Sequence, residues 1–160
     1  GQYPYTINPG GPNHEELVSL IGIHEYFDNL YNHHFKNDNL DILKRIKKIN
    51  NLISIHEETI ANPILDYISS RDDFKLIGKN RITNKDRAPT ISFISNKKTS
   101  KEISQLMVKE KIATRNDNFY AWRCLKYLDI DPNDGVVRLS MTHYNSYKDT
   151  ENVLSALEKI

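Results

Sequence analysis

The residue of this chain best suited to chemistry is Arg138. It stands in the run Val136-Val137-Arg138-Leu139-Ser140-Met141, otherwise mostly apolar. A guanidinium offers a planar fork of donors that pairs two-point with a carboxylate. Period-two alternation puts Val136, Arg138 and Ser140 on one face of a strand and Val137, Leu139 and Met141 on the other. An arginine so placed points at solvent or at a site, and by pattern alone the solvent position is the commoner one. Arg115 is the second candidate. It follows Ile112-Ala113-Thr114 and opens the polar stretch Asn116-Asp117-Asn118.

Other reactive side chains carry weaker signals. The chain has one cysteine, Cys124, so neither an internal disulfide nor a cysteine-rich zinc site is available. Cys124 lies among Trp122, Leu125 and Leu128, the setting of an inert buried thiol rather than a nucleophile. His14, His33-His34 and His56 lack a second ligand at helical spacing with a third partner. His56-Glu57-Glu58-Thr59-Ile60 misses the second histidine of the H-E-x-x-H zinc pattern. His143, next to the Arg138 strand, is placed to line whatever that strand builds. No phosphate-loop, dinucleotide-fingerprint or nucleophile-elbow motif occurs.

The bulk composition is that of a foldable chain. Among 160 residues, 27% are charged and 38% hydrophobic, and 22 basic residues stand against 21 acidic ones. That balance gives no argument for nucleic acid or an anionic membrane. No apolar run approaches the roughly 18 to 20 residues of a membrane span, and no signal-peptide pattern is present. With no pairing of cysteines, a cytoplasmic setting is expected. Because the chain opens on Gly1 and not on methionine, we expect a segment upstream of it.

The elements that must position these residues follow from periodicity. Residues 1–13 are turn-rich, with Asn13 as an N-cap. Leu17, Leu20, Ile21, His24, Phe27 and Tyr31 make an amphipathic helix to about Phe35. A break at 36–39 precedes a second helix, about 40–69, on the stripe Leu40, Leu43, Ile46, Ile49, Ile53, Ile60, Ile64 and Ile68, with Pro63 as a kink point. Strands are expected at 74–78 and 90–95, then a helix capped by Thr99 or Ser100 through Val108. A brief strand at 112–114, a turn at 116–118 and a short helix at 119–128 follow. Asp131-Pro132-Asn133-Asp134-Gly135 is a turn, 136–141 a strand, and Val153, Leu154 and Leu157 mark a last helix. The expected fold is α+β, a small and mostly antiparallel sheet with helices on one face, preceded by long helices.

Two patterns make the chain resemble class V aminotransferases and the cysteine desulfurase-like branch of fold-type-I pyridoxal-phosphate (PLP) enzymes. The first is Gly10-Gly11-Pro12-Asn13 before a long helix, similar to a Gly-Thr-Pro-Asn turn. The second is Arg138-Leu139-Ser140-Met141-Thr142-His143-Tyr144-Asn145, similar to an R-x-S-x-x-x-Y-N-T motif. Between them, Pro89 to Phe93, Ile112 to Arg115 and Asn118 to Arg123 fall in the family's order, so the likeness covers nearly the whole chain.

The resemblance implies a division of labour. Residues 1–36 would be the end of a PLP-binding large domain, and 37–160 a C-terminal small domain. Arg138 would take the α-carboxylate of an amino-acid substrate, with Arg115 beside the active-site loop. Gly11 replaces a threonine that contacts the PLP phosphate, which leaves only a backbone N–H for that contact. The desulfurase nucleophile would fall near Tyr120 and not at Cys124. The Schiff-base lysine would precede Gly1, so this chain alone is expected to be inactive and not to bind PLP covalently. The complete enzyme is expected to be a homodimer. The competing expectation is a non-catalytic, stand-alone interaction domain.

Overall fold

The structure, a computed structural model, describes residues 6, 10–35, 40–83 and 86–160. These residues fall into two units, 1–52 and 53–160. Among the described residues are five helices and one four-stranded sheet, and no helix is long and apolar enough to cross a membrane.

The first unit holds α1 (His14–His34) and the start of α2 (Ile42–Ser70). Asn13 caps α1 by accepting the N–H groups of Glu15 and Glu16, two donors that have no partner inside the helix. Only part of the expected apolar stripe is covered. Tyr31 is fully buried, and Ile49 of α2 nearly so, whereas Leu17, Leu20 and Ile21 are at least half exposed. The Arg45 guanidinium sits 5.2 Å from the Tyr31 ring centroid and 3.6 Å from the Asp28 carboxylate. These contacts tie the C-terminal half of α1 to α2.

The second unit is built on the sheet. Its strands are β1 (Phe74–Ile77), β2 (Thr90–Ser95), β3 (Arg115–Asp117) and β4 (Val136–Ser140), in the antiparallel order β1-β2-β4-β3. One face carries Phe74, Ile91, Phe93, Val137 and Leu139. It packs on Ile60, Ile64, Leu65 and Ile68 of α2, Ile103 and Met107 of α3 (Ser100–Lys109), and Val153, Ala156 and Leu157 of α5 (Tyr147–Glu158). This is the main core, and α2 continues through Pro63 while lining it. Thr150 of α5 donates to the Ile60 carbonyl at 2.8 Å, and Asn62 exchanges two hydrogen bonds with the backbone of Ile82. The other face carries a smaller cluster of Val136, Leu125 of α4 (Trp122–Tyr127) and Ile130, with Ile77, Ile94 and Phe119 against it.

The third strand falls at 115–117, not at 112–114, and the fourth helix begins at Trp122, not at 119. The first shift comes from how α3 ends. Lys111 takes a left-handed φ of 62° and the N–H of Ile112 returns to the Met107 carbonyl at 2.9 Å. Residues 110–112 are thus spent closing the helix in a Schellman-type end, with Ile112 against the core. The second shift has the same kind of cause. Phe119 and Tyr120 have φ of 50° and 62°, which no helix can use.

Candidate functional site

β4 is an inner strand, so both of its edges are paired and its side chains are fixed from two sides. The registers set Ile77, Ser92, Arg138 and Arg115 in one row across all four strands. The two arginines singled out from sequence are therefore direct cross-strand partners on the face away from the main core. Arg138 is half-buried and Arg115 exposed. The Phe119 ring completes the group: its centroid lies 4.0 Å from the Arg138 guanidinium carbon and 5.7 Å from that of Arg115. Among the described residues no carboxylate lies within ion-pairing distance of either guanidinium.

A structural arginine in the same unit looks different. Arg71 also stacks on a ring, 4.9 Å from the Phe74 centroid, but it gives Nε and Nη2 to the two oxygens of Asp73 at 2.7 and 2.6 Å. Its Nη1 donates to the Tyr67 hydroxyl at 3.0 Å. Lys97 adds a second cation to Asp73 at 3.1 Å. Hydrogen bonds from Arg71 first, then Lys97, hold the Asp73 carboxyl far below the ordinary carboxylate range, and Asp73 in turn raises the Arg71 guanidinium. Arg87 is a third case. Nη2 donates to the Thr90 carbonyl at 3.2 Å, while Nε and Nη1 are shielded from solvent without a partner, and that burial lowers its pKa.

The loop bearing Phe119 is held by polar contacts. Asp117 accepts the N–H of Asn118 at 2.7 Å. The Asn118 amide accepts the N–H of Tyr120 at 3.0 Å and donates to the Pro132 carbonyl at 3.2 Å. Gly135, with φ of 73°, presses its backbone on the end of β3: a Cβ there would lie 2.2 Å from the Asp117 carbonyl carbon. Neighbouring Asp134 accepts the N–H of Ser100 with both carboxylate oxygens, at 2.9 and 3.1 Å, which fixes the turn to the N-terminus of α3. The turn 131–135 is legible in sequence, but its service to Phe119 is not.

The remaining sequence candidates lie elsewhere. Gly11 is an exposed turn residue of the first unit with φ of 77°, and a Cβ there would meet nothing within 4 Å. Cys124 is on α4 as expected but exposed, not buried, because Leu125 and not Cys124 turns toward the sheet. His143 is half-buried and its ring stands 5.5 Å from that of Tyr144. His56 donates from Nε2 to the Asn145 carbonyl at 2.7 Å. Burial raises the adjacent Glu57 carboxyl despite the opposing charges of His143 and His56. Among the described residues no group of three or more metal-ligating side chains converges. Phe119 is the site residue that the sequence reading left without a role. Its only signal was membership of the Asn118 to Arg123 segment.

Comparison with known proteins agrees with the fold. A solved cysteine desulfurase, CsdA of Escherichia coli, superposes with a TM-score of 0.68 at 19% identity, covering 99% of this chain and 33% of that one. The cysteine desulfurase of Thermococcus onnurineus NA1 gives 0.59 at 21% identity over 67% of this chain and 25% of that one. At these identities the likeness is one of fold. A curated relative, the aminotransferase-like protein FGM3 of Gibberella zeae, is 26% identical over 109 residues, 68% of this chain and 27% of that protein. The chain thus spans about a quarter to a third of the proteins it matches. The family model described as aminotransferase class-V matches residues 37–153, most of the chain, and the chain belongs to that family.

Proposed function

We propose that this chain is the C-terminal part of a PLP-dependent class V enzyme acting on an amino acid, and that Arg138 binds the substrate α-carboxylate with Arg115 beside it. The observation that carries the proposal is a half-buried guanidinium on an inner strand, stacked on a ring and lacking a carboxylate of its own among the described residues. A cation so held is costly unless a ligand completes it, and a carboxylate matches its donor fork. Residues 1–36 would end the large domain and 37–160 form the small domain of a homodimer.

PLP, when bound, supplies an electron sink for reactions at the α-carbon. The residues described here do not by themselves make a seat for it. The Gly11 turn is open, and Asn13 already occupies the N–H groups of Glu15 and Glu16 at the start of α1. In this proposal Gly11 adds a backbone N–H toward the phosphate, while the lysine and the partner of the pyridine nitrogen come from the large domain. What this chain does is bind and orient: the arginine pair fixes the carboxylate end of the substrate.

The test is Arg138→Ala in the complete protein. Amino-acid affinity should fall on the order of tenfold to a hundredfold, the worth of one charge-assisted hydrogen-bonded pair, while PLP content stays at the wild-type level. Unchanged amino-acid affinity would sink the proposal. A second reading, a non-catalytic interaction domain, is favoured by the exposed Leu17, Val18, Leu20 and Ile21 of α1. A complete protein that neither takes up PLP nor binds amino acids would establish it instead.

A further inference from the structure

We infer that Phe119 is a positioning residue, an aromatic platform that holds the Arg138 and Arg115 guanidiniums together in place of a carboxylate. This rests on the function proposed above and adds a residue to it. Three observations converge. The first is electrostatic. Arg115 and Arg138 are direct cross-strand partners, and like charges directly opposite each other repel. Among the described residues no acidic side chain answers either one, yet the Phe119 ring centroid lies 4.0 Å from the guanidinium carbon of Arg138 and 5.7 Å from that of Arg115. An aromatic face is negative at its centre and attracts a cation without neutralising it. A carboxylate in the same place would tie up the donors that a substrate needs, as Asp73 ties up those of Arg71.

The second observation is backbone cost. Phe119 and Tyr120 are successive non-glycine residues in the left-handed region, a conformation that persists only where the surroundings impose it. Asn118 imposes it by accepting from the N–H of Tyr120 and donating to the Pro132 carbonyl. The backbone of Gly135 packs closely against Asp117 and Asn118, where the loop begins. The third is orientation. Phe119 also packs on the cluster of Leu125, Ile130 and Val136. The ring is thus backed by apolar side chains while it meets both guanidiniums.

Packing alone would explain the third observation, so the test must separate the ring's electronic face from its bulk. In the complete protein, Phe119→Leu keeps an apolar side chain and removes the π face. Phe119→Tyr keeps the face, and pentafluorophenylalanine at 119 keeps the shape while reversing the quadrupole. Binding is measured by calorimetry with the tightest binder from a panel of the common L-α-amino acids, and again with the carboxamide of that amino acid. Phe119→Leu and the pentafluoro variant should weaken the amino acid about tenfold, within the range of cation–π attraction. Neither should change carboxamide binding, and Phe119→Tyr should bind as wild type. The pentafluoro variant covers the case in which Phe119→Leu fails to fold. Wild-type affinity in the pentafluoro variant, with Arg138→Ala still impaired, would overturn the role of Phe119 and leave the proposed function standing. No binder in the panel, or no effect of Arg138→Ala, would overturn both.

Discussion

Two arginines of the second unit lean within 5 Å of a phenylalanine ring centroid, Arg71 at 4.9 Å and Arg138 at 4.0 Å, and they differ in what completes them. Arg71 rests on Phe74 and spends its fork on Asp73 and Tyr67. Arg138 rests on Phe119 and faces another arginine. The first arrangement is closed: every strong interaction is made inside the chain, and the three side chains fix the start of β1. The second is left open, and its loop is held in a conformation that the chain would not choose locally. Stability argues for the first arrangement, and readiness for a ligand argues for the second.

The sharpest way to break the Arg138 corner without touching a charge is Gly135→Ala. The new methyl group would collide with the backbone of Asp117 and Asn118, so the loop must move. We expect a loss of about 1–3 kcal/mol of stability, typical of overpacking and of an L side chain at a left-handed position. Amino-acid affinity should be lost with it. Thermal unfolding and calorimetric binding of the complete protein would read the two effects. A variant with both properties intact would show that the loop is not held from Gly135.

The Arg71 corner should be broken by acid. The folded-state pKa of Asp73 is depressed, so its contribution to stability is complete above the unfolded carboxyl pKa of about 3.9. It fades as pH falls below that value. Asp73→Asn should therefore cost stability at neutral pH and flatten the acid limb of the unfolding profile. Equal acid slopes in the two proteins would deny the linkage.

The smallest effect should be the most telling. Arg138→Ala should leave stability unchanged or raise it by roughly 0.5 kcal/mol, the scale of a relieved cross-strand like-charge pair, while amino-acid affinity falls. Arg71→Ala, by contrast, should lower the melting temperature, because it strips Asp73 of its main partner. If Arg138→Ala proved the more destabilising of the two, Arg138 would be a structural residue and the contrast between the corners would fail.

Much of this was legible in the sequence because it depends on local rules. Alternation placed Val137 and Leu139 in the core and Arg138 on the far face. Asn13 and Thr99 announced helix starts through side chains that satisfy free N–H groups. The motif around Arg138 carried the family. What was missed has a common cause. Lys111, Phe119, Tyr120 and Asp129 adopt left-handed conformations without being glycine, so the ends of α3 and α4 and the start of the Phe119 loop carry no composition signal. The period of the stripe on α1 marks the apolar face of an amphipathic helix. Leu17, Leu20 and Ile21 are exposed all the same, because periodicity states that a face is apolar and not what covers it.

The sequence by itself carried the family and three of the four strands, and it singled out the two arginines as candidates, since these follow from residue types at fixed spacing. Only the tertiary structure decided that Arg115 and Arg138 are partners in register, that neither meets a carboxylate among the described residues, and that Phe119 lies against both. The physical reason is that register and ring placement are set by contacts between β4 and segments some twenty residues away. The approach of Gly135 to Asp117 and the Asn118 to Pro132 hydrogen bond are energies of the folded chain and of no local stretch.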